Sequence, residues 1–281
     1  MIKCMHYWST PEGLGNTQSI ASALELAKRH GFAGIELGIG PEGVLTTEST
    51  RAECEAIRKR IDDAGLVCET VSSGMSWGFN PTSDDASVRE KAVELHAAQL
   101  QRAVWLGCRA VLMVPGVVTS PIAPDQCIRY DVAIERCREN TTKLLDTAEE
   151  VGVDLCLENV WNGMLLSPHE WIDFLDAFGS PRLGMYFDTG NLLGYHQHPP
   201  HWIELLGDRI KRVHVKDFKL NFDWSGSFSF ARLMEGDMPW AETMAALKRI
   251  GYDRTLVAEM LPYSDGLLEH TSEKMDEILA M

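Results

Sequence analysis

Short apolar runs alternate with longer amphipathic segments along the whole chain. Eight of the apolar runs have strand length and predict buried β-strands at residues 2–8, 34–37, 66–72, 110–114, 153–158, 183–188, 210–215 and 255–259. The segments between them have the apolar spacing of helices, at residues 17–30, 47–64, 84–106, 128–151, 168–177, 200–206, 240–250 and 267–279. Strands that alternate with helices in this way predict parallel βαβ units.

Glycine marks the end of five predicted helices and precedes a predicted strand each time. These positions favour a left-handed C-cap and are Gly31, Gly65, Gly107, Gly152 and Gly251. Ser83 and Ser167 are predicted helix N-caps, and Pro168 follows Ser167 at the first helical position. These capping residues support the same alternation of helices and strands.

The alternation allows two architectures, a closed (β/α)8 barrel and an open doubly wound sheet. An open sheet that binds a dinucleotide should carry GxGxxG after its first strand. The sequence there reads HYWSTPEGLGNTQS and lacks the motif. No low-complexity or Pro/Ser-rich linker interrupts the alternation. We therefore predict an α/β protein with the (β/α)8 TIM barrel fold, as a single domain over residues 1–281.

Composition narrows the classes of partner. The 281 residues are 45% hydrophobic and 24% charged, as in soluble globular proteins, and the net charge of −15 opposes binding to nucleic acid or anionic membranes. The seven cysteines include no CxxC pair and several lie in apolar runs, which is typical of reduced cysteines in the cytosol. No segment resembles a signal peptide or a membrane span. We expect a cytoplasmic protein that binds neither nucleic acid nor membrane.

Polar side chains follow the last four predicted strands. Glu158 follows VDLCL, Asp188 follows RLGMYF, His214 follows RIKRV and Glu259 follows RTLVA. One such residue alone is more often a helix cap or a surface group. In a (β/α)8 barrel, however, all strand carboxyl ends open onto one face, where catalytic groups collect. Three carboxylates and one imidazole suit Mn²⁺, Mg²⁺, Co²⁺ or Zn²⁺, so the set predicts a divalent-metal site.

Several segments resemble the xylose isomerase-like TIM barrel superfamily of sugar (phosphate) isomerases and epimerases. They are LCLENVW, MYFDTGN, RVHVKDFK, VAEM and GDMPWAETMAALKRIGYD. Within the superfamily the chain is most similar to ketose 3-epimerases and to hexulose- or pentulose-phosphate epimerases and isomerases. The resemblance implies that Glu158, Asp188, His214 and Glu259 bind one ion, with Mn²⁺ expected and Mg²⁺, Co²⁺ or Zn²⁺ as alternatives. It also implies that Glu158 and Glu259 act as acid and base.

The chain departs from this family at two positions. Many relatives carry a histidine three residues after the strand-six aspartate, where this chain has Asn191. An amide can hydrogen-bond a hydroxyl group but cannot carry a proton. An arginine expected six residues beyond His214 is replaced by Leu220. Lys216 shares the strand parity of His214, and we interpret it either as a cation near a substrate oxygen or phosphate or as a solvated lysine.

The predicted chemistry is removal of a proton from the carbon next to a sugar carbonyl. A divalent ion would stabilise the resulting cis-enediolate. Carboxylates on opposite faces of the substrate favour epimerisation, such as ketose 3-epimerisation, whereas protonation at the neighbouring carbon gives aldose–ketose isomerisation. A keto-sugar lyase or hydratase with the same site is the alternative, followed by a non-catalytic sugar-binding protein. An apurinic endonuclease is disfavoured by Asn191 and by the acidic charge.

Other residues near strand ends are candidates for substrate binding. Indole rings pack well on sugar C–H faces, so Trp8, Trp161 and Trp224 are candidates, with core packing as the alternative. Candidates for hydroxyl recognition or for support of the ligands are His6, Glu36, Asn159, Asn162, Asn191, Lys216 and Asp217. The loop at residues 219–238 contains WSGS and Arg232, and loops here often bind phosphate. The expected partner is a small-molecule sugar or sugar phosphate, and homo-oligomerisation stays open.

Overall fold

A computed structural model describes residues 1–221 and 228–281. Its strands are β1 (Ile2–His6), β2 (Gly34–Gly38), β3 (Thr70–Ser72), β4 (Ala110–Met113), β5 (Asp154–Glu158), β6 (Leu183–Asp188), β7 (Ile210–Val215), β8 (Phe218–Leu220), β9 (Phe228–Phe230) and β10 (Thr255–Ala258). Eight of them hydrogen-bond as a closed barrel in the order β1-β10-β7-β6-β5-β4-β3-β2. The predicted TIM barrel is confirmed.

Helices alternate with the barrel strands along the chain. They are α1 (Ile20–Arg29), α2 (Arg51–Ala64), α3 (Met75–Gly78), α4 (Ala86–Leu106), α5 (Tyr130–Val151), α6 (Pro168–Asp176), α7 (Pro199–Leu206), α8 (Trp240–Arg249) and α9 (Leu267–Ala280). Strands between such helices are covered by apolar groups, which explains why β2 and β6 are buried along their whole length.

The residues group into two compact units by Cα proximity. The first comprises Met1–Gly38, Lys59–Cys68 and Phe187–Met281, and the second comprises Ile39–Arg58 and Glu69–Tyr186. The first contains β1, β2, β7 and β10, and the second contains β3, β4 and β5. Strand β6 begins in the second unit and ends in the first. A single domain over residues 1–281 stays a prediction.

In the first unit, Lys3 on β1 contacts two residues of α9. Lys3 Nζ lies 2.6 Å from Asp276 Oδ1 and 3.1 Å from Ser272 Oγ, both on α9. The same ammonium lies 5.7 Å from the centre of the Phe32 ring, within range of a cation–π interaction. These contacts hold α9 against the first strand of the barrel.

In the second unit, Gln99 links α4 to two barrel strands and orients the buried His96. The Gln99 amide nitrogen donates to the carbonyls of Val71 and Leu112, so its Oε1 accepts a hydrogen bond from His96 Nδ1 at 2.8 Å. His96 Nε2 then accepts from Ser76 Oγ at 2.9 Å. Burial lowers the pKa of His96 from 6.5 to about 4, because the imidazolium would lose its hydration.

The lowered pKa of His96 predicts that the protein loses stability in mild acid. As the pH falls from 6.5 towards 4, the unfolded chain binds a proton at His96 but the folded chain does not. This difference lowers the free energy of unfolding by about 3 kcal/mol over that interval. Urea unfolding of the His96→Gln variant should therefore show a shallower fall in unfolding free energy with decreasing pH. The exposed His201→Gln variant is the control. A profile identical to the native one in His96→Gln would contradict the prediction.

The predicted helix caps are partly confirmed. The five C-cap glycines all have positive φ, between 70° and 78°, a conformation that only glycine adopts without strain. Ser167 and Glu170 form a capping box, with Pro168 in the first turn of α6. This agreement reflects the local nature of capping, which depends on a few neighbouring residues.

The predicted starts of helices α2 and α4 were wrong. Helix α4 begins after Asp85 rather than after Ser83, because the Asp85 carboxylate accepts the hydrogen bond from the first turn. Helix α2 begins at Arg51 rather than at residue 47. Thr50 and Glu53 exchange side chain–backbone hydrogen bonds there, so the capping box sets the start of the helix.

One hairpin follows the barrel strand β7 and was not predicted. Strands β8 and β9 are antiparallel, with Phe218 opposite Phe230. Trp224 and the WSGS segment, which the sequence analysis considered for substrate binding, lie outside the described residues. Within the residues that the structure describes, no helix is both long and apolar enough to cross a membrane.

Candidate metal site

The carboxyl ends of three strands in the first unit carry the predicted ligands. Asp188 is the last residue of β6, His214 lies near the end of β7, and Glu259 directly follows β10. Backbone hydrogen bonds align these ends, from Thr189 N–H to the His214 carbonyl at 3.1 Å and from Glu259 N–H to the Val215 carbonyl at 3.0 Å. The alignment brings the three side chains together.

Three of the four predicted ligands are gathered in the first unit. Asp188, His214 and Glu259 are buried, and each offers a ligand atom within 4.8 Å of those of the others. In the second unit, Glu158 is buried at the end of β5, opposite Tyr186 on β6, and its role as a fourth ligand stays a prediction. Two carboxylate oxygens and one imidazole nitrogen at this spacing fit a divalent cation by donor type and by proximity.

A buried hydrogen-bond chain orients His214. Trp8 N–H donates to His6 Nδ1 at 2.8 Å, so the proton of the His6 ring lies on Nε2, which is 3.1 Å from Glu36 Oε1. The same Glu36 oxygen is 2.8 Å from His214 Nε2. Because a carboxylate accepts, His214 carries a proton on Nε2. Its Nδ1 lies 3.1 Å from Glu259 Oε2, and in the neutral ring this nitrogen has the lone pair that a metal ion needs.

The surrounding positive groups keep the acids ionised. Burial raises the pKa of Glu36, but hydrogen bonds and charge interactions with His214 and His6 outweigh it and hold that pKa well below its usual range. Burial also raises the pKa of Glu259. There the charges of Lys216 and His214 outweigh burial and lower the pKa. Ionised carboxylates are the form that binds a cation.

Lys216 lies between two of the predicted ligands. Its Nζ is 2.8 Å from Asp188 Oδ2 and 2.7 Å from Glu259 Oε2, and its side chain is only 7% exposed. The interpretation of Lys216 as a solvated lysine is therefore wrong, and the other interpretation, a cation near a substrate oxygen or phosphate, stays a prediction. An ammonium group held by two ligand carboxylates shows that this location accommodates positive charge.

Gly190 allows the ends of β6 and β7 to approach each other. A Cβ atom at Gly190 would lie 2.7 Å from the Lys216 carbonyl oxygen and 2.9 Å from Lys216 Cβ. Thr189 Oγ1 is also within 3.5 Å of Lys216 N. The sequence analysis did not identify Gly190 as a site residue, because nothing in the DTGN segment reveals which backbone lies against it.

Gly190→Ala is expected to disturb the site without changing any ligand. The methyl group would push the Lys216 backbone away and move Asp188, and misplacement of a ligand weakens metal binding by about 10–100-fold. Titration of Mn²⁺ monitored by calorimetry measures this loss. Gly78→Ala is the matched control, since nothing lies within 4 Å of a Cβ there. Equal Mn²⁺ affinity in Gly190→Ala and the native protein would contradict the prediction.

Two further predicted substrate residues contact His6 and Asp188. Trp8 is part-exposed, and its ring centre is 4.4 Å from that of His6. Gly38 makes room for Trp8, because a Cβ there would lie 2.6 Å from the indole nitrogen. Asn191 is buried, and its backbone N–H donates to Asp188 Oδ1 at 2.9 Å. A role of Trp8 and Asn191 in substrate binding stays a prediction.

Other predicted substrate residues have structural contacts. The Asp217 carboxylate accepts from Trp240 Nε1 and from four backbone N–H groups, those of Phe218, Met234, Gly236 and Met238. It therefore organises the segment that precedes α8. In the second unit, the Asn162 amide donates to the Gly116 carbonyl at 2.8 Å and accepts from Met164 N–H. Trp161 is half-buried. Their substrate roles remain untested predictions.

The fold and the clustered donors define a parallel β/α barrel with a candidate divalent-metal site at its strand carboxyl ends. Residues 24–279 match the family model described as "Xylose isomerase-like TIM barrel". The chain belongs to this family, which confirms the resemblance identified from the sequence.

Individual relatives agree with this assignment. The D-psicose 3-epimerase of Enterocloster bolteae is 26% identical over 78% of this chain and 70% of its own length. The L-ribulose-5-phosphate 3-epimerase UlaE of Escherichia coli is 23% identical over 84% of this chain and 80% of its own length. A crystal structure of D-psicose 3-epimerase from Clostridium cellulolyticum superposes with a TM-score of 0.81 at 19% identity, covering 100% of this chain and 99% of the other.

Proposed function

We propose that this protein is a divalent-metal-dependent epimerase of ketoses or ketose phosphates. The observation that carries the proposal is the buried set of Asp188, His214 and Glu259, whose ligand atoms lie within 4.8 Å of one another, with Glu158 proposed as the fourth ligand. Relatives named as D-psicose 3-epimerase and L-ribulose-5-phosphate 3-epimerase support the reaction class and its small-molecule sugar substrate. Such enzymes are isomerases.

The site residues divide into three roles in this proposal. Glu158 and Glu259 are the acid and the base. One removes a proton from the carbon next to the ketose carbonyl, and the other delivers a proton to the opposite face of that carbon. Asp188 and His214 complete the ligand set. When bound, a divalent ion supplies charge stabilisation for the enediolate. Mn²⁺ is the proposed ion, with Mg²⁺, Co²⁺ and Zn²⁺ as alternatives that the donor set also accepts.

The remaining residues would orient the substrate. Trp8 offers an indole face beside His6 for sugar C–H groups, and Asn191 offers an amide to a hydroxyl group. Because Asn191 cannot carry a proton, the two glutamates are left as the proton carriers of the proposal. This division favours epimerisation over transfer to the neighbouring carbon.

Hydrogen exchange tests the reaction class directly. Incubation with Mn²⁺ in deuterium oxide should introduce deuterium at the carbon next to the carbonyl of D-psicose, D-fructose, D-tagatose or L-ribulose 5-phosphate, as detected by NMR. The same sample treated with a chelator should show none. Absence of exchange with every sugar would refute the proposal. Loss of water or of a carbon fragment, detected by product mass, would instead identify the lyase or hydratase.

The same four sugars also test whether the substrate is phosphorylated. A preference for L-ribulose 5-phosphate over the free sugars would support a phosphorylated substrate. Cytoplasmic location and homo-oligomerisation stay predictions, and light scattering of the purified protein measures the second.

A further inference from the structure

We propose that Lys216 is an internal cation that holds the carboxylates of the candidate site together and opposes the binding of the metal ion. This inference rests on the proposed function, because it concerns the same metal site. It assigns to Lys216 a role distinct from substrate binding, namely control of how tightly the ion is held.

The contacts of Lys216 are those of a counter-ion. Its ammonium group touches Asp188 Oδ2 at 2.8 Å and Glu259 Oε2 at 2.7 Å, and both carboxylates belong to the proposed ligand set. The three side chains are between 0% and 7% exposed, so little water can solvate their charges. Removal of one partner from such a buried group leaves charge uncompensated and destabilises the fold.

The backbone places the lysine where it is. Lys216 directly follows β7, and its Nζ and His214 Nδ1 lie 2.7 and 3.1 Å from the same Glu259 oxygen, so the two side chains point to the same side. Gly190 packs directly against the Lys216 backbone, and Thr189 lies beside its nitrogen. The ammonium is therefore held at the ends of β6 and β7 by the same contacts that place Asp188.

The charges of the site explain why the lysine and the ion should oppose each other. Buried acids at and beside the site are Glu36, Glu158, Asp188 and Glu259. Lys216 contributes one positive charge to these acids, and a divalent ion on the same carboxylates adds two more a few ångströms away. Like charges at this distance repel each other, while each separately is attracted by the acids. Each cation therefore weakens the binding of the other.

The test compares Lys216→Met with Lys219→Met. Methionine has similar length and no charge, and Lys219 is a matched control because its Nζ pairs with Asp237 at the surface, where it is 52% exposed. Each protein is purified with MnCl₂ present, stripped with a chelator, and examined by thermal unfolding with and without Mn²⁺. Calorimetric titration then gives the Mn²⁺ dissociation constant.

In the stripped state, Lys216→Met should melt about 5–15 °C below the native protein, because the carboxylates lose their cation. It should bind Mn²⁺ about 10–100-fold more tightly and gain more thermal stability from Mn²⁺ than the native protein does. Lys219→Met should match the native protein in both measurements.

The outcomes separate the inference from the proposed function. If the native protein binds no divalent ion, the proposed function fails and this inference fails with it. If the native protein binds Mn²⁺ but Lys216→Met binds it equally or more weakly, only the inference is overturned. Failure of Lys216→Met to fold even with Mn²⁺ would also overturn it, because the ion should replace the missing charge.

Discussion

Replacement of Glu259 by glutamine is expected to lower turnover by about 10²–10⁴-fold while the protein stays folded. The amide keeps the shape of the side chain and an oxygen that can approach a cation, but it cannot take up or deliver a proton. The measurement is the rate of epimer interconversion under saturating Mn²⁺, with metal content determined separately. The exposed Glu273→Gln variant is the control.

A sharper version of this experiment assigns one glutamate to each face of the sugar. If Glu158 and Glu259 each remove the proton from one epimer, the loss of either should stop interconversion. The epimer served by the remaining glutamate should still exchange its hydrogen with deuterium oxide. The Glu158→Gln and Glu259→Gln variants should therefore show exchange with opposite epimers. Full turnover in Glu259→Gln would show that another group carries the proton.

Loss of the Glu36 carboxylate is expected to have the second large effect, although Glu36 is not in the proposed ligand set. Its Oε1 contacts both His6 Nε2 and His214 Nε2, so Glu36→Leu should release His214 from its orientation. Loss of such a supporting residue weakens metal affinity by about 10–100-fold. It also leaves two buried imidazoles without their acceptor, which costs about 3–5 kcal/mol of unfolding free energy.

Glu36→Gln separates orientation from charge. The glutamine Oε1 can still accept from both histidines, so His214 keeps its ring orientation while the negative charge is lost. We expect Mn²⁺ affinity between those of the native protein and Glu36→Leu, as measured by calorimetry. A purely structural role would lower the melting temperature of Glu36→Leu and leave the Mn²⁺ affinity of the folded fraction unchanged.

The sequence predicted the barrel well because the evidence for it was repeated. Each strand was one apolar run among eight, and each C-cap glycine was one of five, so an error at one element left the others intact. Helix α2 shows where such reasoning fails. Its start is set by the hydrogen bonds between Thr50 and Glu53, which helical periodicity alone does not reveal.

The proximity of Asp188, His214 and Glu259 could also be predicted, since they stand at the ends of neighbouring strands, while their role as metal ligands stays a prediction. The contacts that orient and balance them could not. That Glu36 bridges His6 and His214 depends on which strands flank each other and on side-chain direction. The close approach of Gly190 to Lys216 is a distance between two backbone segments, which the amino-acid sequence does not reveal.

The pairing of β1 with β10 has a consequence for synthesis on the ribosome. Cys4 can pair with Gly34 on β2 soon after both are made, but Ile2 can pair with Thr255 only after β10 has been made. During that interval the nascent chain presents an open strand edge, which invites association with other unfinished chains. Co-expression of chaperones is therefore expected to raise the yield of folded protein.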